Sequence, residues 1–416
     1  MVKKSKNKIL WKKALKIIPS GNSFLSKNPV RFKSDNWPIY FSKAKGSTVW
    51  DLDGKKYHDF SLMGVGTNIL GYCSKKVDQE VLKKIKNGNM TTLNCPEEVI
   101  FSDMLLKIHP WAQMAKFAKT GAEANAIAVR LSRAYNKKNK IIICGYHGWH
   151  DWYLSAIYSK KNYLDTHLFP NLKTEGVPKY LKKYVYSVKY NDLTSLKKII
   201  NKDKDISSLI MEVERDHKPQ KKYLKSIRKL CNEKNICLIF DECTTGFRDV
   251  YGGLHLKYGV NPDIAMFGKA IGNGYSITSI IGKKRIMKLS NRSFISSTFW
   301  SERSGFVAGI ATLNEMKRIK SWKIISAKGR KIKRLLSLEA KKWGLIIKFS
   351  GLDALIKFNI LNPKIKYYQK IITSEMIKNN FLATNSIYVS VTHTEKLIKK
   401  YVKEMSKIFK KISHKK

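Results

Sequence analysis

Leu238-Ile239-Phe240-Asp241-Glu242-Cys243-Thr244-Thr245-Gly246-Phe247-Arg248, with Met266-Phe267-Gly268-Lys269 after it, is the stretch from which the fold is read. Each part is a short apolar run that stops at a polar residue. Such a run is the pattern of a strand buried on both faces, as in parallel sheets. Ligands of these sheets bind outside the carboxyl ends of the strands. Asp241 and Lys269 therefore project into one crevice, as a carboxylate and a primary amine.

That pairing has a chemical use. A lysine at the rim of a dry cleft loses proton affinity and can form a Schiff base with an aldehyde. A carboxylate facing a pyridine nitrogen keeps the ring protonated, so that it can accept electrons from a substrate carbanion. These are the two protein groups that pyridoxal phosphate needs. On spacing alone, an aspartate that caps a helix and one lysine among many fit the same residues equally well.

Upstream, Ala115 to Ala118 reads as a brief strand, followed by Thr120-Gly121-Ala122-Glu123-Ala124 and a helix to about Tyr135. A small-residue turn opening a helix presents free N–H groups and the positive dipole end, which suits a phosphate. A plain helix cap reads the same way. Ile141-Ile142-Ile143 is another buried strand, leading into Gly145-Tyr146-His147-Gly148-Trp149-His150-Asp151, whose aromatics can stack on a planar cofactor. No second ligand cluster accompanies His147 and His150, so no metal site is expected. Leu209-Ile210-Met211 before Glu212 is a further strand, and Tyr223 to Lys234 a helix. The βα alternation predicts an α/β, doubly wound sheet. Residues 159–183 show no period and contain Pro170, Gly176 and Pro178, the mark of a lid or a disordered insert.

On the amino-terminal side, residues 1–34 contain no acid, and Ile9, Leu10, Leu15, Ile17 and Ile18 predict an amphipathic helix packed into the fold. Thr48 to Tyr57 reads as a hairpin turning at Asp53-Gly54. On the carboxyl-terminal side, helices over Phe306–Ile319 and Trp322–Trp343 give way after Leu345 to short strands and a basic helix, Glu395–Ile412. This predicts a smaller α+β unit that includes the amino-terminal hairpin.

The whole chain has 416 residues, with 81 Lys+Arg against 31 Asp+Glu, a net charge of +50. The lysines are spread along the chain without an aromatic-interleaved basic stripe, which argues for solvated faces over a specific nucleic-acid partner. A polyanion-binding protein is kept as the alternative to an enzyme. No apolar run is long enough to span a bilayer, and no secretory signal is read at the amino terminus. Six cysteines without C-x-x-C spacing read as reduced cytoplasmic thiols.

Taken in order, these segments resemble the class III aminotransferases of fold type I, closest to the glutamate-1-semialdehyde 2,1-aminomutase branch. The resemblance rests on Ile18-Pro19-Ser20-Gly21, Asn28-Pro29-Val30-Arg31, Asp51-Leu52-Asp53-Gly54, Ile69-Leu70-Gly71-Tyr72, Asp241 to Arg248, Tyr258 to Asp263, and Phe267-Gly268-Lys269, over nearly the full length. It implies a large pyridoxal-phosphate-binding domain with a mainly parallel sheet flanked by helices, over residues 58–315. It also implies a small α+β domain from both termini, residues 1–57 and 316–416.

The resemblance further implies roles. Lys269 would form the Schiff base and carry protons, and Asp241 would pair with the pyridinium nitrogen. Tyr146 and Cys243 would lie against the two ring faces. Thr120, Gly121 and Ala122 would hold the phosphate, and Glu212 would lie near the cofactor. Thr298 would reach the phosphate of the neighbouring subunit, making a homodimer with the cofactor site at its interface. Arg31 would receive a substrate carboxylate. The chain departs from the pattern at Glu302-Arg303-Ser304, where Gly-Asn-Pro is usual, and at Asn385, where aminomutases carry glutamate. These departures favour an aminotransferase acting between a small-molecule amino donor and a separate carbonyl acceptor, with the aminomutase as second choice.

Overall fold

The computed structural model describes residues 5–159, 163–164, 173–361 and 365–414. The chain forms two compact units: Met1–Asp78 with Arg318–Lys416, and Gln79–Lys317. The first unit contributes β1 (Phe41–Lys45), β2 (Thr48–Asp51) and β3 (Lys56–Phe60). The second holds β4 (Met114–Ala118), β5 (Lys140–Cys144), β6 (Val185–Ser187), β7 (Ile206–Met211), β8 (Cys237–Asp241), β9 (Ile264–Phe267) and β10 (Thr278–Gly282). The first unit resumes with β11 (Ile347–Ser350), β12 (Leu355–Ile360), β13 (Phe381–Ala383) and β14 (Ser386–Tyr388).

The second unit is built on one sheet of order β4-β10-β9-β8-β7-β5-β6. β6, β5, β7, β8 and β9 run parallel, and β10 runs antiparallel to both its neighbours. Every residue of β7, β8 and β9 is buried, as continuous apolar strands covered on both faces must be. The crossovers are helical, Leu193–Lys202 between β6 and β7 and Tyr223–Glu233 between β7 and β8. The helix Gly121–Asn136 buries Ala124, Ile127, Ala128 and Leu131 in a core shared with Ile210, Ile239 and Ile280. Each buried isoleucine or leucine there stabilises the unit by about 1.5–3 kcal/mol.

The first unit takes strands from both ends of the chain. β13 pairs in parallel with β3 to complete the sheet β1-β2-β3-β13, and β11-β12-β14 form a separate antiparallel sheet. Its amino-terminal segment runs to Asp78, past the expected limit at residue 57. The reason lies in residues 61–69: Tyr388 N donates to Ser61 O, and Val391 N and Ser390 Oγ donate to Ile69 O. The hairpin turns where the Asp-Gly pair predicts, with Gly54 at φ +83°.

The amino-terminal helix forms over Lys6–Ile17, but not with the packing its pattern predicts. Ile9, Leu10, Leu15, Ile17 and Ile18 are exposed, and its buried residues are Asn7 and Ala14. Polar contacts anchor it. Asp53 accepts from Ser5 Oγ (2.5 Å), Lys6 N (2.7 Å) and Asn7 Nδ2 (3.0 Å).

Candidate active site

The crevice expected at the carboxyl edge is formed by β8 and β9. The two are adjacent and parallel, with Asp241 opposite Met266. Asp241 ends β8, and Lys269 follows β9 after Gly268. Lys269 opens a 3₁₀ turn, Lys269–Gly272, with a left-handed backbone at φ +48°. A non-glycine residue pays about 1–2 kcal/mol for that conformation, a cost concentrated at functional sites. Its amine donates to Thr244 Oγ1 at 2.6 Å.

Asp241 is held on all sides. Oδ2 accepts from His147 Nδ1 (2.9 Å) and Asn125 Nδ2 (2.7 Å), and Oδ1 accepts from Cys243 N (3.1 Å). Since the carboxylate accepts, Nδ1 of His147 carries a proton. Burial alone would raise the Asp241 pKa. The hydrogen bond and charge of His147, with the Asn125 and Cys243 bonds, outweigh it and leave the carboxyl below its ordinary value. The Lys269 pKa is lowered as well, which for an amine favours the neutral form. Burial lowers its pKa, the Arg215 guanidinium lowers it further, and Cys243, Asp241 and Glu212 oppose. The surroundings thus lower the proton affinity of both the amine and the carboxylate.

Beside them the helix Gly121–Asn136 begins at a capping box. The Thr120 hydroxyl accepts from Glu123 N at 3.3 Å, and Glu123 Oε2 accepts from the Thr120 N–H (2.8 Å), the Thr120 hydroxyl (3.0 Å) and the Lys119 N–H (3.1 Å). Thr120 thus spends both its donors on its own helix. Among the described residues, the N–H groups of Gly121 and Ala122 take no hydrogen-bond partner. These two are the orphan donors of a helix start, suited to an anion. A Cβ on Gly121 would stand 3.3 Å from Cys243 Sγ, so this turn and the residue two past Asp241 enclose one tight space.

The loop after β5 closes another side. Gly145 lies at φ +121°, where a Cβ would meet Glu212 Oε2 at 2.7 Å. Gly148 lies at φ +105°, where a Cβ would meet that of Ala122 at 2.7 Å. Only glycine allows both approaches. Asn125 also donates to His147 O at 3.1 Å, so one side chain ties helix, loop and Asp241 together. Tyr146 keeps an exposed ring, and its N–H donates to Glu212 Oε2 at 3.1 Å. Arg215 Nη1 lies 3.4 Å from each Glu212 oxygen, and its guanidinium carbon lies 5.6 Å from the centre of the Tyr146 ring. Cys144, Gly145, Lys189, Tyr190, Glu212, Arg215, Asp216 and His217 line a cavity of about 260 Å³ here.

Of the residues singled out by sequence, Asp241, Cys243, Lys269, Gly121, Ala122, Tyr146 and Glu212 therefore converge. Thr298 does not join them: it is exposed, in a turn Thr298–Ser301. Arg31 belongs to the other unit, on a 3₁₀ turn Pro29–Phe32, partly buried. The segment 159–183 lies partly outside the described residues, while Lys179–Tyr184 forms a 3₁₀ helix. Glu302 and Arg303 make ion pairs in their own unit. Glu302 pairs with Lys119, and Arg303 grips Glu97 with two bonds of 2.9 Å. Sequence reasoning missed Asn125, Thr244 and Arg215. Asn125 had a signal, a lone amide among alanines and isoleucine on the buried face of the helix. The other two had none.

Among the described residues, no group of three or more His, Cys, Asp or Glu is arranged to hold a metal. The family model for class-III aminotransferases matches residues 30–409. The 3-aminobutyryl-CoA aminotransferase of Cloacimonas acidaminovorans is 32% identical over 408 residues, covering 95% of this chain and 94% of that protein. The glutamate-1-semialdehyde 2,1-aminomutase of Methanobrevibacter smithii is 36% identical over 320 residues, covering 74% of this chain and 73% of that protein. The FumI protein of Sphingopyxis sp. MTA144, solved with PLP, superposes with a TM-score of 0.89, at 21% identity and over 98% of this chain and 96% of that one, a likeness of fold.

Proposed function

The chain belongs to the class-III aminotransferases, a family of pyridoxal-phosphate enzymes, and we propose that it moves an amino group from an amino donor to a separate carbonyl acceptor. The observation that carries this reading is the meeting of Lys269 and Asp241 at the ends of adjacent parallel strands, beside the unpartnered N–H groups of Gly121 and Ala122. When bound, the cofactor supplies an aldehyde that carries the amino group and a ring that takes up the electron pair left on the substrate carbon.

The chain's residues do the rest. Gly121 and Ala122 would offer their N–H groups to the phosphate, and Tyr146 and Cys243 would flank the ring. Asp241, fixed by His147 and Asn125, would pair with the ring nitrogen and keep it protonated. The Lys269 amine would hold the cofactor through its aldehyde and, when free, would take the proton from the donor carbon. Its lowered pKa favours the unprotonated amine that both tasks need. Glu212 receives the Tyr146 N–H and fixes the stacking loop. Purified protein is expected to be yellow, and Lys269→Ala to abolish amine-dependent bleaching of that colour. A Lys269→Ala protein that still turned over amino donors would refute the assignment.

The aminomutase remains as second reading, favoured by the 36% identity to the Methanobrevibacter smithii protein. Glutamate 1-semialdehyde given alone discriminates the two: isomerisation without an added acceptor would select the mutase.

The proposed assembly is a homodimer in which Thr298 serves the neighbouring subunit's phosphate. Its support is the exposure of Leu93, Val99, Ile100, Phe294 and Phe299 in the same unit as Thr298, large apolar side chains that an association surface would cover. Sedimentation should give a dimer, and Phe294→Asp should shift it toward monomer while weakening cofactor retention. A monomeric wild-type enzyme with full activity would remove the proposal. The six free thiols favour a cytoplasmic location. Among the described residues, no helix is long and apolar enough to cross a membrane.

A further inference from the structure

We propose that the outer face of the terminal helix, Glu395–Ser413, is a docking surface for a nucleic-acid duplex, gripped through its phosphates without reading its bases. The helix belongs to the first unit, and the inference does not depend on the amino-transfer reading.

Three observations carry it. The first is a line of charge. The helix buries Ile398, Tyr401, Val402, Met405, Ile408 and Phe409 on one face. On the other, Lys396, Lys399, Lys400, Lys403 and Lys410 follow the three- and four-residue spacings of a single helical stripe, which Lys407 and Lys411 complete, and all are exposed. From Lys396 to Lys411 the stripe runs about 22 Å by helical rise. Lysines that the sequence scatters along the whole chain are here gathered into one row.

The second is how little of that row is neutralised. Lys407 pairs with Glu404 at 2.9 Å and Lys411 with Glu375 at 2.8 Å, while the other five form no ion pair among the described residues. The helix Ser321–Lys342, packed against it, differs. There Arg330 and Lys333 both pair with Asp353, and Lys331 takes Glu395, the acid one turn before Lys399. Like charges three and four residues apart repel, and a row of external anions relieves the repulsion.

The third is what the face lacks. None of the helix's large apolar side chains is exposed, so nothing is offered to the acyl layer that an interfacial helix must enter. No ring stands open on it either: Tyr401 and Phe409 are buried, Lys400 lies over the Phe381 ring at 5.7 Å, and Lys410 over the Trp343 ring at 5.3 Å. A single strand, which gains much of its grip from base stacking, is therefore served less well than a duplex. A duplex presents one phosphate charge per about 1.7 Å of axis. Ammonium groups act on it as point charges that need no paired geometry, so the grip is blind to sequence.

The test is binding of a DNA duplex of about 20 base pairs to the holoenzyme, read by fluorescence anisotropy between about 50 and 200 mM salt. The logarithm of the affinity should fall against that of salt with a slope of about −4 to −5, as five neutralised phosphates require. The triple variant Lys399→Gln, Lys400→Gln, Lys403→Gln should bind at least about 10-fold more weakly and reduce the slope by about 3. Lys403→Gln alone should reduce it by about 1. A control triple, Lys137→Gln, Lys198→Gln, Lys225→Gln, removes the same charge at exposed lysines of the second unit and should change affinity by less than about 2-fold. Duplexes of unrelated sequence should bind alike, and the matching single strand more weakly.

Equal losses in the two triple variants would make net charge, and not the row, the cause and would overturn the proposal. So would a wild type that leaves the duplex free at about 100 mM salt, or one that prefers vesicles of anionic lipid to the duplex. Both triples should keep wild-type amino transfer; a protein that binds the duplex but transfers no amino group would overturn only the transaminase reading.

Discussion

The floor of the cleft and its rim are built on different principles. On the floor, Asp241 accepts three hydrogen bonds from three separate segments, and no member of that set is free to rotate without breaking one. On the rim, Trp149 is 70% exposed and Lys189 and His217 stand open. Arg215 Nη1 lies 3.4 Å from each oxygen of Glu212. A prealigned floor fixes charge where it develops and needs no reorganisation during reaction. The floor is thus set by the strands of the sheet, and the rim by the loops that leave them.

Breaking the floor should have the largest effects. Lys269→Ala removes both nucleophile and proton carrier, and turnover should fall on the order of 10⁴-fold or more in a coupled amino-transfer assay. Asp241→Asn keeps the shape and removes the charge, so kcat should fall roughly 10²- to 10³-fold, with the cofactor spectrum altered. A loss below tenfold would show that ring protonation does not depend on this carboxylate.

Asn125→Ala leaves a buried carboxylate short of one donor and should cost about 1–3 kcal/mol in urea unfolding. Its pH dependence sharpens the point. The folded pKa of Asp241 lies below its ordinary value, so the stabilisation is complete above about pH 4 and is lost as the pH falls through the lower folded value. The difference between wild type and Asn125→Ala should therefore shrink in acid. A difference that stayed constant to about pH 2, below the usual aspartate range, would mean the amide acts by packing alone. Trp149→Ala, on the rim, should change unfolding free energy by no more than about 0.5 kcal/mol. A larger cost would show that the rim is part of the same rigid body as the floor.

The sequence speaks plainly where burial is two-sided. β7, β8 and β9 write continuous apolar runs, so their place in a parallel sheet and the exit of Asp241 and Lys269 follow from residues alone. β10 is apolar too, but its antiparallel direction depends on the path of the chain, which no local pattern records. β6, three residues long, is too short to show a period. The amino-terminal helix teaches a different limit. Its periodicity forecasts the helix correctly, yet the apolar side chains are exposed and Asp53 anchors its start, because a helical stripe shows which side is apolar and not what covers it. In the site, residues at strand ends were legible. Asn125, Thr244 and Arg215 gain meaning only from the partners that folding brings to them.

One carboxylate, finally, serves two masters. Glu123 caps the helix whose first amides face the cleft, and its other oxygen takes the Trp300 indole N–H at 3.1 Å, in the turn that begins with Thr298. A tug on that turn is felt one residue from Ala122. If two copies meet there, docking and grip on the phosphate become mechanically linked, and diluting the protein should loosen its prosthetic group before any of the fold is lost.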